Sequence, residues 1–152
     1  TCALPICTWR TVWLFTKQEK NTMKFTENDI KDWERLERMI EKEAQAIYDS
    51  PVARNGRDLD TIRFCVRQGK VAELWLIENE GYEESDKKWH DLKKDGEYTE
   101  VKAYTGVWSK EAPFVQKDLR RLKNESWSTS TWYKLFKVED GCYELLDTIK
   151  LR

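Results

Sequence analysis

The sequence predicts one mixed α/β (α+β) domain, a β-sheet flanked by helices with a helical segment on its N-terminal side. Three observations carry that expectation. Two long stretches near the start place apolar residues at helical spacing. Two strand pairs follow, each closed by an Asp-Gly turn, at Asp95-Gly96 and at Asp140-Gly141. A further helix, opened by Pro113 in its first turn, separates the two pairs. The order α-α-β-β-α-β-β then gives a mixed sheet with helices packed on it. At 152 residues the chain suits a single domain, and its eight Trp, six Tyr and five Phe can fill a moderate core.

Residues 1–22 read as foreign to this domain. Thr1-Cys2-Ala3-Leu4-Pro5-Ile6 resembles the translation of a sequencing-adapter sequence, and Met23 stands just before a helix start. The expectation is an upstream read-through ahead of a domain spanning residues 23–152, with the tail poorly ordered. A signal peptide across residues 4–15 is the rival reading. It lacks a basic region before the apolar run, and Arg10 interrupts that run. No other stretch is long and apolar enough to span a membrane.

Thr26-Glu27-Asn28-Asp29 resembles a capping box, with Asp where Glu or Gln is usual. The helix behind it should run to about Tyr48, with Ile30, Trp33, Met39, Ile40 and Ile47 as its apolar stripe. Ser50-Pro51 ends it, and Asn55-Gly56 marks a loop. A second helix is expected over residues 58–79, with Ile62, Cys65, Val66, Gly69, Ala72 and Leu76 on one stripe. On that stripe Cys65 reads as a buried, reduced thiol. Strands are expected over residues 89–94 and 97–106. The helix from Pro113 should turn Phe114, Val115, Leu119 and Leu122 to the sheet. Residues 124–130 read as a polar loop, ahead of final strands over 131–139 and 142–151.

The four cysteines show no Cys-x-x-Cys spacing, and with a single histidine no zinc cluster is expected. This usage fits a cytoplasmic setting. Arg10, Lys17, Lys20 and Glu19 all fall within residues 1–22, so the net charge moves from −1 for the whole chain to −3 without them. That balance argues against strong nucleic-acid binding by bulk electrostatics. Local basic patches remain available at Arg54, Arg57, Arg63, Arg67 and Lys70, and from Lys117 to Lys123.

The segment from His90 to Lys102 carries the chemistry. Alternation along a strand points Glu100 and Lys102 the same way, and the Asp-Gly turn brings Asp91 opposite them. Two carboxylates a few ångströms apart repel, and neither gives up its water readily. A divalent cation such as Mg²⁺, which takes oxygen ligands, relieves both problems. A lysine beside it can polarise a water or steady a phosphate, which is the chemistry of phosphodiester hydrolysis. Glu73 falls on the apolar stripe of the second helix, where an ionised carboxylate is costly unless paired or bound to metal. The plain alternative is a solvated hairpin face with a Glu–Lys pair, and a Glu73 that reaches solvent or Lys70.

The order Glu73, Gly81-Tyr82, Asp91 and Glu100-x-Lys102 resembles the PD-(D/E)xK nuclease superfamily, of restriction-endonuclease-like fold. Gly69-Lys70-Val71-Ala72-Glu73 also resembles the helix opening of such nucleases, and the resemblance extends from about Arg57 to Lys123. His90 stands where the family's name has Pro. The resemblance implies that Asp91 and Glu100 hold Mg²⁺, or Mn²⁺ in its place. It further implies that Lys102 assists the attacking water and Glu73 supports the metal. It implies DNA as partner, and a Gln116 that sits beside the active site as a polar residue of the third helix. Lys117, Arg120 and Arg121 on that helix would meet phosphates. Those cations could instead serve only the helix dipole and the surface.

The expected activity is therefore Mg²⁺-dependent endonucleolytic cleavage of DNA, in the cytoplasm of a bacterial or phage-infected cell. A homodimer would supply the two sites that cutting both strands often takes. The alternatives are a non-catalytic phage protein, or a nucleic-acid-binding module on the same fold that does not cut. Trp108 and Trp127, expected in loops flanking the site, could stack on unpaired bases or anchor their loops. Alternation puts the His90 ring on the face opposite Asp91, which favours packing over a role as second base.

Overall fold

A computed structural model describes residues 23–87, 90–125 and 128–152. The expectations for residues 1–22 and for Trp127 lie outside the described residues. The chain forms β1 (Lys24–Thr26), a 3₁₀ turn (Glu27–Asp29), α1 (Trp33–Tyr48), a short α2 (Pro51–Arg54) and α3 (Leu59–Asn79). Then come β2 (Glu83–Glu84), β3 (Leu92–Lys94), β4 (Glu97–Thr105), α4 (Pro113–Asn124), β5 (Trp132–Glu139) and β6 (Cys142–Lys150).

The strands make one sheet in the order β1-β6-β5-β4-β3-β2. β4 and β5 run parallel, and every other pair is antiparallel. A parallel pair needs a crossover, which α4 supplies. The two Asp-Gly turns form as the sequence predicts. Asp95 and Gly96 have φ of 52° and 80°, and Asp140 and Gly141 have 52° and 77°. Positive φ at both central residues is the primed turn whose twist suits a hairpin.

Each sheet face packs its own layer. Val101, Phe136, Val138, Tyr143 and Phe25 join α1 and α3 through Leu36, Ile40, Ala44, Ile62, Val66 and Ala72. On the other face Tyr133 and Leu135 meet Val115, Leu119 and Leu122 of α4. β6 serves both layers because its ladder slips between Leu135 and Phe136, so that Leu135 pairs with Asp147 but Phe136 with Leu145. The extra residue reverses the alternation. Tyr143 and Leu145 therefore face one layer, and Ile149 the other.

Several local expectations are corrected. The capping box closes a 3₁₀ turn, not the first helix: Asp29 accepts from Thr26 N–H at 2.8 Å. Residues 24–26 pair with β6 instead, which leaves α1 to start at Trp33 behind Asp32, whose carboxylate accepts from Arg35 N–H at 3.0 Å. Ile30 is buried but precedes the helix, and Trp33 is 40% exposed. Cys65 is exposed rather than buried. It lies on the flank of α3, whose inward ridge runs through Ile62, Val66, Ala72, Glu73 and Leu76. Phe114, expected to face the sheet, is 45% exposed and packs its edge on Tyr104.

Candidate active site

α3 begins where the sequence says it should, with Asp58 accepting from Thr61 N–H at 2.8 Å. Four turns further on its period carries Glu73 inward. Glu73, Glu100 and His90 are each 6% exposed or less. Lys70, one turn back, meets Glu73 with Nζ at 3.2 Å and 3.3 Å from the two carboxylate oxygens. The same ammonium lies 2.7 Å from Glu43 of α1. Burial pulls the Lys70 amine down, but Glu73, Glu43 and Asp91 outweigh it and hold it charged.

β3 ends its regular pairing at Leu92, which stands opposite Thr99. Asp91 lies just before the strand. Its Oδ2 accepts from Val101 N–H at 2.8 Å, so a side chain takes the place of a ladder acceptor. Burial pushes the Asp91 carboxyl up, and the nearby Glu100 pushes it further, against Lys102, the Val101 N–H and Lys70. Glu73 is also pushed up, by burial and then by Asp91, with Lys70 opposing. Lys102 is half-buried. Burial works against its charge, yet Asp91 and Asp118 keep its amine above the usual range. The four residues Glu73, Asp91, Glu100 and Lys102 thus form one electrostatically linked group, drawn from α3, the approach to β3, and β4.

The alternation argument fails at His90. Its ring is not on a packing face away from the acids. Nδ1 lies 3.2 Å from Glu100 Oε2 and 2.9 Å from Ser130 Oγ, and Nε2 lies 2.9 Å from Thr129 Oγ1. Ser130 Oγ donates to the same Glu100 oxygen at 2.7 Å. The ring also stacks on Tyr98 at 4.7 Å. The physical reason is that pleated alternation holds only inside the ladder, and residues 90 and 91 precede it.

The residues expected to meet nucleic acid are placed as follows. Gln116 donates from Nε2 to the Lys110 carbonyl at 2.6 Å, so its amide ties down the preceding loop. Arg121 pairs with Asp118 at 2.7 Å. Lys117 and Arg120 are exposed on α4. The cations of α3 do not form a bare basic patch. Arg63 is paired with Glu41 and Asp60, Arg67 with Glu27 and Glu37, and Lys70 with Glu43 and Glu73. Trp108 is 67% exposed, with Lys137 Nζ 4.9 Å above its ring. A cavity of about 260 Å³, lined among others by Arg67, Gln68, Thr105 and Tyr143, involves none of the candidate residues.

Two contributors escaped the sequence. Asp118 accepts from the Tyr133 hydroxyl at 3.0 Å and acts on Lys102 across the sheet face. Ser130 reaches Glu100 because β5 lies parallel to β4, and the Ser130 carbonyl is held by Arg152 at 2.6 Å. The one signal for Ser130 was its place immediately before a predicted strand.

Among the described residues, no group of three or more His, Cys, Asp or Glu is arranged to hold a metal ion. Mg²⁺ asks for less, since it is commonly held by one or two carboxylates with waters and substrate phosphate making up the rest. The donor chemistry here fits it. Asp91 and Glu100 are hard oxygen donors, and Asp91 keeps one oxygen clear of its bond to Val101. Burial first, and neighbouring negative charge second, raises the Asp91 and Glu73 carboxyls, and that charge is what a divalent cation would neutralise. The chain matches no protein-family model, no curated protein and no solved structure. No helix among the described residues is long and apolar enough to cross a membrane.

Proposed function

We propose that this chain is a Mg²⁺-dependent endonuclease of the PD-(D/E)xK kind that hydrolyses DNA phosphodiester bonds. The observation that carries the reading is the linked group of Glu73, Asp91, Glu100 and Lys102, in which two carboxyls are raised first by desolvation and then by a neighbouring acid, Glu73 by Asp91 and Asp91 by Glu100. Stability alone gives no reason to gather such charges.

Asp91 and Glu100 would hold the cation, which when bound supplies an acidified water and neutralises charge on the phosphate. Glu73, anchored by Lys70, adds negative charge behind that pair. Lys102 presents an ammonium within the field of Asp91, where it can donate to a phosphate oxygen or orient the attacking water. Asp118 holds Lys102 charged from the α4 side. The setting proposed for this activity is the cytoplasm of a bacterial or phage-infected cell.

The test is cleavage of supercoiled plasmid by the full chain, in Mg²⁺ and in EDTA, beside Lys102→Ala. We expect metal-dependent nicking that the variant loses while keeping its circular dichroism. Cleavage by the variant at the parental rate would sink the mechanism. A second reading is favoured by one feature, the commitment of Glu100 Oε2 to both His90 and Ser130. A purely structural polar cluster would look the same, in a module that binds nucleic acid or protein without cutting. No cleavage of plasmid, single-stranded or branched DNA by the folded chain would select that reading.

A further inference from the structure

Glu100 does not present itself symmetrically. One oxygen, Oε2, receives the Ser130 hydroxyl at 2.7 Å and lies 3.2 Å from His90 Nδ1. The His90 side chain is fully buried, and its other nitrogen is engaged by Thr129 at 2.9 Å. Ser130 is itself buried, and Arg152 holds its carbonyl at 2.6 Å and the Leu122 carbonyl at 2.9 Å. Glu100 is thus gripped by groups that are gripped in turn.

We propose that His90 and Ser130 are positioning residues that leave Glu100 only Oε1 to offer a cation, and so set the site's preference for Mg²⁺ and Mn²⁺ over Ca²⁺. This rests on the reading of Asp91 and Glu100 as cation ligands. The physical argument is one of coordination. Mg²⁺ demands near-octahedral geometry at short distances, which one carboxylate oxygen from each acid satisfies. Ca²⁺ takes a larger and looser shell and often both oxygens of a carboxylate. An Oε2 that already accepts from the Ser130 hydroxyl, with an imidazole nitrogen 3.2 Å away, cannot complete a bidentate grip. Groups that orient a ligand in this way are worth roughly ten- to a hundredfold in metal affinity.

The test is titration calorimetry of the DNA-free full chain with Mn²⁺ and with Ca²⁺, so that no step depends on turnover. The variants are Ser130→Ala, which removes the hydroxyl, and His90→Phe, which keeps a ring on Tyr98 and removes the nitrogen. We expect the parent to prefer Mn²⁺. Each variant should lose about tenfold in Mn²⁺ affinity, with the Mn²⁺ to Ca²⁺ ratio falling toward one. Parental affinities and ratio in both folded variants would overturn the positioning role and leave the cation site standing. A folded parent that binds neither ion, behaving like Asp91→Asn, would overturn the cation reading and this inference with it.

Discussion

The β3–β4 and β5–β6 hairpins turn on the same dipeptide, with nearly identical φ at Asp95-Gly96 and Asp140-Gly141. Beyond the turn they diverge. β5 and β6 stay paired from Glu139 and Cys142 out to Trp132 and Lys150, both strands contributing to both cores. β3 leaves its partner after Leu92, while β4 runs on beside β5. A turn therefore sets register but not how far a ladder extends. Where the β3 ladder stops, Val101 N–H still needs an acceptor, and the Asp91 carboxylate supplies it. The stable hairpin spends its residues on packing, and the interrupted one frees His90 and Asp91 for the site.

The sharpest way to break this comparison is to remove one core residue from each hairpin. Phe136→Ala empties a fully buried position in β5 and should cost about 3–5 kcal/mol in urea unfolding. Leu92→Ala, also fully buried, should cost about 2–4 kcal/mol and in addition loosen Asp91, so that Mn²⁺ binding falls in the protein that remains folded. Equal loss of metal affinity per unit of stability in the two variants would erase the distinction.

The turns give a smaller effect. Gly96→Ala and Gly141→Ala each force a side chain onto positive φ, at about 1–2 kcal/mol apiece. The stability losses should match, because the turns match. Only Gly96→Ala should shift cleavage or metal affinity, and a similar functional loss from Gly141→Ala would show the two hairpins to be coupled.

The smallest effect is on pH dependence. Glu73 and Asp91 keep their protons in the folded chain to higher pH than in the unfolded chain. The folded state then binds more protons than the unfolded state, and stability falls as pH rises out of the ordinary carboxylate range. Without metal, unfolding midpoints should therefore rise as the buffer is taken from pH 8 toward pH 6, the window set by Glu73, and Asp91→Asn should flatten that slope by removing the charge that helps to raise Glu73. Saturating Mg²⁺ should reverse it, since the ion binds the deprotonated acids. A slope unchanged by both Asp91→Asn and Mg²⁺ would remove these carboxyls as its source.

Long periodic segments were legible in the sequence, and so was the start of α3, whereas the cap of α1 was not, since Asp32 holds it and the Thr26 box closes a 3₁₀ turn. α3 starts behind Asp58 and turns Glu73 inward because 3.6-residue spacing is a local property. Asp-Gly fixed both hairpins for the same reason. β1 and β2 were not legible, since strands of three and two residues carry no period. Cys65 and Trp33 were misplaced by stripes drawn too wide, because which ridge packs is decided by the neighbouring helix. Ser130 and Asp118 were invisible for a deeper reason. They reach Glu100 and Lys102 only through the parallel β4–β5 pairing and its α4 crossover, which no local pattern encodes.

That parallel pairing also bears on how the chain folds. Both hairpins close over short loops and can form early, whereas β4 and β5 can register only after the 26 residues between Thr105 and Trp132 have been traversed. Glu100 lies on one side of that late event and Ser130 on the other. In a refolding experiment tryptophan fluorescence should recover before the site does, and binding of Mn²⁺ would then time the closure of the sheet's middle.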